Sequence, residues 1–111
     1  MTDQRWSPIP GRIQTRWAQD VNPDCPLPEY PRPQLVRDAW MNLNGLWDYA
    51  IEAINAPQPE QYQGQILVPF PVESSLSGVE KALQPDQHLW YRRSFSIPDE
   101  WKNQRVLLHF G

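Results

Sequence analysis

The sequence has 111 residues, which limits it to one small domain. Hydrophobic residues make up 40% and charged residues 21%, proportions typical of a globular protein rather than of a disordered chain. The formal charge of −3 and the pI near 5.2 provide no basic field, so the composition argues against a nucleic-acid partner.

Nothing in the sequence indicates a membrane partner. No apolar run approaches the roughly 20 residues that span a bilayer, and the first residues lack the apolar core of a signal peptide. This favours a cytoplasmic protein, although a secreted chain whose signal has been removed would look the same. Cys25 is the only cysteine in the sequence, and a chain without an internal disulfide is typical of a reducing compartment.

Proline dominates the first third of the chain. Because proline disrupts helix interiors and central strands, we expect residues 1–34 to form an extended arm, with polyproline II geometry over 27–33. A plain linker seldom carries three large aromatic residues, so we interpret Trp6, Trp17 and Tyr30 as anchors that pin the arm to another surface. A mobile tail is the alternative.

Four strands are predicted after the arm. Residues 46–52 alternate apolar Trp, Tyr and Ile with smaller or acidic residues, and 65–68 form a short apolar run that ends at a proline. Residues 89–97 place most of their apolar side chains on one face, and residues 105–110 place Val106, Leu108 and Phe110 on one face. No long helical periodicity and no internal repeat is present.

Four strands are too few for a common β-sandwich, which needs roughly seven or eight to close its two sheets. A sheet that stopped at Phe110 would leave a hydrophobic strand without its next partner. We therefore expect the sequence to be the front part of a larger protein, and to be unstable or prone to aggregation when made alone.

The sequence lacks the usual catalytic sets. It has no phosphate-binding glycine loop, no metal-spaced His/Cys cluster and no nucleophile elbow, so we expect no cofactor, no metal site and no catalytic residue. His88 and His109 are far apart in sequence and are interpreted as structural or surface residues.

Carboxylates need separate attention, because a pair of them at a fixed separation can cleave a glycosidic bond. Glu73 is the acidic residue in a setting suited to a ligand, on a loop after a strand, and Ser74 lies beside it. We take Glu73 and Ser74 as candidate substrate-proximal residues. The alternative is a serine-rich turn held by hydrogen bonds from side chains to the backbone.

Tryptophans also bear on function, because an exposed indole can stack on the apolar face of a sugar ring. Trp47 and Trp90 lie inside predicted strands and favour core or inter-domain packing. Trp101 lies at a predicted turn over residues 99–103, where it could cover the base of a sandwich.

Three ordered stretches carry recognisable motifs: residues 43–49 read LNGLWDY, 68–74 read VPFPVES, and 90–98 read WYRRSFSIP, followed by Trp101 and by RVLLHFG at 105–111. Together they resemble the N-terminal domain of glycoside hydrolase family 2, the family of the β-galactosidases, β-glucuronidases and β-mannosidases. The YPRPQ stretch before them is similar to the lead-in of bacterial members.

This resemblance implies an all-β fold, with residues 35–111 as part of a jelly-roll β-sandwich of the galactose-binding type, preceded by the arm over 1–34. Immunoglobulin-like domains and a TIM barrel would follow, and both catalytic glutamates of that family lie on the barrel. The implied partners are a β-glycoside substrate, the later domains and a possible second copy of the chain. Some members lend side chains from this domain to the sugar site, and the candidacy of Glu73 and Ser74 follows from position alone.

The sequence thus leaves three functions open. The leading interpretation is a non-catalytic front domain of a retaining exo-β-glycosidase that supports the barrel and the rim of the sugar pocket. A stand-alone carbohydrate-binding module and a structural domain for oligomer contacts are the alternatives. Fold alone does not decide among them, so the enzyme interpretation depends on the family resemblance.

Overall fold

The computed structural model describes residues 6–11 and 13–110. In these residues the regular structure consists of three strands and four short 3-10 turns, with irregular chain between them. The strands are β1 (Gly45–Ala53), β2 (Gly64–Val68) and β3 (Gln87–Arg92), and the turns are Arg16–Asp20, Pro33–Leu35, Ser75–Ser77 and Asp99–Trp101. The described chain is therefore β-sheet and coil, as expected for an all-β protein. None of its helices is long and apolar enough to cross a membrane.

The three strands form one antiparallel sheet in the order β2-β1-β3, so β1 is central. Residues that alternate along β1 share a face with their partners on both neighbours. Trp47 lies opposite Ile66 on β2, while Tyr49 lies opposite Tyr91 and Ile51 opposite Leu89 on β3. The strands predicted over 46–52 and 65–68 are confirmed, and the alternating residues of the first lie on one face.

The core lies on this face of the sheet. It contains Tyr49, Ile66, Val72 and Val79, with Trp47, Ile51 and Leu89 packed against it. Because the two valines belong to the connection from β2 to β3, the connection itself covers the sheet. Full burial of a side chain such as Ile66 stabilises a fold by about 1.5–3 kcal/mol.

Gly64 and Gln63 shape the start of β2 in the β1–β2 hairpin. A Cβ added at Gly64 would meet the Tyr49 ring at 3.2 Å, so glycine lets that ring lie flat over β2. The Gln63 amide donates to the Ile51 carbonyl at 3.0 Å and accepts from its backbone N–H at 3.2 Å. The side chain of Gln63 thus replaces a missing backbone partner at the end of the ladder.

The third predicted strand is shorter than expected. It begins at Gln87 and ends at Arg92, whereas the alternating pattern predicted residues 89–97. Arg92 lies opposite Asp48 and bonds its carboxylate at 2.8 Å. At the next residue the chain leaves the sheet, and the Arg93 side chain donates to the backbone just before β1.

The prediction of a fourth strand over 105–110 is wrong. These residues have no strand structure, and Phe110 is 82% exposed. Their alternation of apolar residues is suited to a strand, but a strand forms only when a neighbour supplies hydrogen bonds. The turn expected before this segment is present as the 3-10 turn Asp99–Trp101, with Asn103 at φ 68.

The arm is partly as predicted. Continuous polyproline II over 27–33 is wrong, since Leu27 has φ 45 and a 3-10 turn begins at Pro33. Tyr30 packs edge-on against Trp40 with ring centroids 4.7 Å apart, whereas Trp17 is 59% exposed. The third expected anchor, Trp6, is docked at the loop described next.

Candidate functional site

The candidate residues Glu73 and Ser74 lie in the connection after β2, just before the 3-10 turn Ser75–Ser77. The Ser74 hydroxyl donates to the Pro71 carbonyl at 2.7 Å and accepts from the Ser77 N–H at 3.3 Å. It therefore caps the turn, and both roles of the hydroxyl serve the backbone. This geometry matches the serine-rich turn that the sequence left open as the alternative.

Ser77 is the last residue of this turn and is fully buried. Its hydroxyl donates to the Ser74 carbonyl at 2.7 Å and accepts from the Val79 N–H at 3.1 Å. A buried polar group without a partner is costly, so this hydroxyl makes it possible for irregular backbone to enter the core.

The first part of the arm docks on the same turn. The Trp6 indole donates to the Leu76 carbonyl at 2.8 Å, and the Ile9 N–H donates to the Ser75 carbonyl at 3.2 Å. The Ser75 hydroxyl donates in return to the Ile9 carbonyl and accepts from the Gln14 amide, each at 2.7 Å. Trp6 therefore anchors the first part of the arm on the loop after β2 of the same chain, and docking of the arm on a neighbouring domain or subunit stays a prediction.

Gly78 ends the turn with φ 81, a left-handed conformation that favours glycine. A Cβ at this position would lie 2.7 Å from Cδ1 of Trp6. The glycine thus serves the turn and the docked indole at once.

Glu73 is exposed and interacts electrostatically with Tyr91 on β3. The Tyr91 ring contacts Trp47 edge-on, with centroids 6.3 Å apart. Burial raises the pKa of the Tyr91 phenol, and the negative charge of Glu73 raises that pKa further. The structure thus brings Glu73 towards an aromatic edge of the sheet. There its carboxylate can accept hydrogen bonds from a ligand, whereas Ser74 is engaged in the turn.

Sequence reasoning missed a junction that joins two of the motifs. The Leu43 carbonyl accepts from the Trp47 indole at 2.8 Å and from the Arg93 guanidinium, which also donates to the Asn44 carbonyl at 3.1 Å. The Asn42 amide extends the junction to the arm by donating to the Leu27 carbonyl at 3.1 Å. The tryptophan and arginine of the motifs therefore have structural roles here.

A shallow groove of about 330 Å³ was also missed. It lies where the chain before β1 meets the chain after β3, and it is lined by Asp38, Ala39, Trp40, Pro98, Glu100, Trp101 and Gln104. Trp101, expected to cover the base of a sandwich, lines this groove instead. Trp40 and Trp101 are far apart in sequence, so no local pattern indicated that they line the same groove.

The remaining candidates are dispersed. His88, His109 and Cys25 are exposed, and Trp90 is half-buried on the sheet face opposite the core, with an indole N–H that has no partner in the described chain. No group of three or more His, Cys, Asp or Glu side chains converges within residues 6–11 and 13–110.

No protein-family model matches the chain, and no curated protein matches it.

Proposed function

We propose that residues 35–111 belong to the non-catalytic N-terminal domain of a glycoside hydrolase of the family-2 type. Such an enzyme hydrolyses terminal β-glycosidic bonds, as a β-galactosidase does. On this proposal the sheet is part of a jelly-roll sandwich of the galactose-binding type, and residues 1–34 are the arm that precedes it. The support is the resemblance of the three ordered motifs, which are spread over residues 43–111.

The observation that carries the proposal furthest is the junction at Leu43. Its carbonyl accepts from Trp47 of the first motif and from Arg93 of the third. Motif residues that hold the backbone together fit a supporting domain, because the chemistry of such an enzyme belongs to another domain.

The exposed apolar surface supports a role in a larger assembly. Phe95 and Ile97 are each 45% exposed, and Leu107 is 62% exposed. A concentration of exposed large apolar side chains in one stretch of chain is typical of a surface that contacts other protein. The proposed partners are the later domains of the enzyme or a second copy of the chain, and the domain would support the barrel and the rim of its sugar pocket.

The test is an activity assay on the protein encoded by the whole reading frame. We expect cleavage of one of a panel of aryl β-galactosides, β-glucuronides and β-mannosides, and no cleavage by residues 1–111 alone. The substrate cleaved identifies the sugar. A reading frame that encodes no barrel with two strand-end glutamates contradicts the proposal.

The two alternatives predict other results. A stand-alone carbohydrate-binding module predicts saturable binding of a sugar by the 111-residue chain in calorimetry. A domain for oligomer contacts predicts self-association without sugar binding, measured by sedimentation.

A role for Glu73 at the rim of the sugar pocket is tested in the same full-length enzyme. We expect Glu73→Ala to raise KM, because a carboxylate that accepts hydrogen bonds from substrate hydroxyls would be lost. Glu60→Ala is the matched control, since Glu60 is also exposed but lies in the β1–β2 loop. Unchanged kcat and KM for Glu73→Ala would exclude the role.

A further inference from the structure

The groove beside Trp40 and Trp101 combines two kinds of surface. The residues that line it include the apolar Trp40, Pro98 and Trp101 and the acidic Asp38 and Glu100. No lysine or arginine is among the residues that line it. The lining therefore has π-faces and a formal charge of −2 in one small space.

The walls are held in place by their own contacts. Tyr30 packs edge-on against Trp40, at an interplanar angle of 80°. On the other side the Trp101 N–H donates to the Pro98 carbonyl at 3.0 Å, and the Gln104 N–H donates to the Trp101 carbonyl at 3.0 Å. Both indoles are half-buried, so each has a fixed base and an accessible part.

The carboxylates, by contrast, are uncommitted. Asp38 and Glu100 are exposed, and within residues 6–11 and 13–110 neither has a hydrogen-bond or ion-pair partner. Two carboxylates without a counter-charge beside aromatic faces favour a positively charged occupant.

We propose that this groove binds a small organic cation with an alkylammonium or guanidinium head group. The head group lies against the indoles of Trp40 and Trp101, where the ring quadrupoles attract it, and the carboxylates of Asp38 and Glu100 neutralise its charge. The volume of about 330 Å³ suits a head group rather than a long chain. A neutral sugar would use the same indoles, but it would gain nothing from the net charge of the lining.

The proposal is tested by titrating the 111-residue chain, labelled with fluorotryptophan, with choline and with its uncharged carbon isostere dimethylbutanol. We expect choline to shift the signals of Trp40 and Trp101 saturably, with a Kd on the order of 1–10 mM, and the isostere to bind more weakly. Guanidinium is expected to compete with choline. Added salt is expected to weaken the binding, because the groove is open to solvent.

Single substitutions test whether choline binds at this groove. Glu100→Gln is expected to weaken choline binding about two- to fivefold, the range of an exposed charge pair. Asp99→Asn is the matched control, since Asp99 is an exposed neighbour that does not line the groove, and it is expected to change nothing. A substitution of the half-buried Trp101, such as Trp101→Leu, could prevent folding. Glu100 is exposed, so Glu100→Gln leaves the packing intact and tests the groove without that complication.

Three results would overturn the proposal. Equal binding of choline and its isostere would mean that the groove is merely apolar. Saturable shifts with methyl β-galactoside but not with choline would identify a sugar groove. The absence of saturable shifts with every probe would mean that the groove binds no small ligand.

Discussion

Two irregular stretches follow strands of the sheet, and their environments are opposite. The connection after β2, residues 69–86, contributes Val72 to the core and buries Ser77 completely. The stretch after β3, residues 93–110, leaves Leu108 55% exposed. The difference lies in hydrogen bonding more than in apolar content. The first stretch satisfies its backbone with serine hydroxyls, whereas the second has no strand partner, and its serines, Ser94 and Ser96, form no hydrogen bond with the backbone among the described residues. Irregular backbone is buried where side chains replace the missing ladder.

The largest expected effect compares one change in the core with a similar change in the exposed stretch. Ile66→Ala is expected to lower the free energy of unfolding by about 2–5 kcal/mol, since it opens a cavity under the connection. Leu108→Ala is expected to change it by less than about 0.5 kcal/mol, as an exposed site does. Urea denaturation measures both. Equal losses would mean that residues 93–110 are packed in solution.

The second prediction compares two glycines that share a left-handed conformation. Gly78 has φ 81 and Gly11 has φ 79, but a Cβ at Gly78 would collide with Trp6, whereas one at Gly11 meets nothing within 4 Å. Gly11→Ala is expected to cost about 1–2 kcal/mol from backbone strain alone. Gly78→Ala is expected to cost about 2–4 kcal/mol, because steric overlap adds to the strain.

The contribution of the docked arm is isolated by combining Gly78→Ala with Trp6→Ala. The excess cost of Gly78→Ala over Gly11→Ala is expected to disappear in that background, since the clashing indole is gone. An excess that persists without the indole would contradict docking of the arm on the serine turn. Urea denaturation of the single and double variants forms the required cycle.

The third prediction concerns the hydroxyl that holds the connection in the core. Ser77→Ala is expected to cost about 1–3 kcal/mol, because the Val79 N–H and the Ser74 carbonyl lose a buried partner. Ser96→Ala is the matched control in the exposed stretch, where less than about 0.5 kcal/mol is expected. Thermal unfolding compares the two, and a loss at Ser77 no larger than that at Ser96 would refute the role of the hydroxyl.

The sequence predicted what local pattern determines. Alternation along β1 identified its core face, and prolines and glycines marked the ends of the first two strands. Pattern failed where a distant partner decides the outcome. Residues 105–110 have the alternation of a strand, but whether they form one depends on a neighbouring strand. β3 ends early, at the point where the Arg93 side chain donates to the backbone before β1. These are tertiary effects that a local window does not contain.

The candidate site was likewise predictable only where local pattern determines the structure. A serine-rich turn was among the sequence interpretations, since Ser and Gly favour turns by their own hydrogen bonds and dihedral angles. The electrostatic influence of Glu73 on the pKa of Tyr91 depends on how the connection folds across the sheet. The groove between Trp40 and Trp101 joins residues about sixty positions apart, which no spacing rule anticipates.

The smallest expected effect tests whether the buried connection faces β3 as described. The folded-state pKa of Tyr91 is raised, first by burial and then by Glu73, so the fold favours the neutral phenol. The stability that this provides is fully present below the unfolded pKa of about 10 and is lost as the pH rises through the higher folded value. Tyrosinate absorbance should show a late-titrating component that Tyr91→Phe removes.

Substitution at Glu73 separates the two causes of this shift. Glu73→Gln is expected to bring the pKa of Tyr91 only part of the way back, because burial is the larger cause and is unaffected. Glu60→Gln, an exposed change in the β1–β2 loop, is expected to leave the titration as it is. An unchanged pKa of Tyr91 in the Glu73→Gln variant would mean that the carboxylate points away from the sheet. The same result would remove the structural reason for expecting Glu73 to face a ligand at this edge, since the aromatic edge and the carboxylate would no longer share one surface.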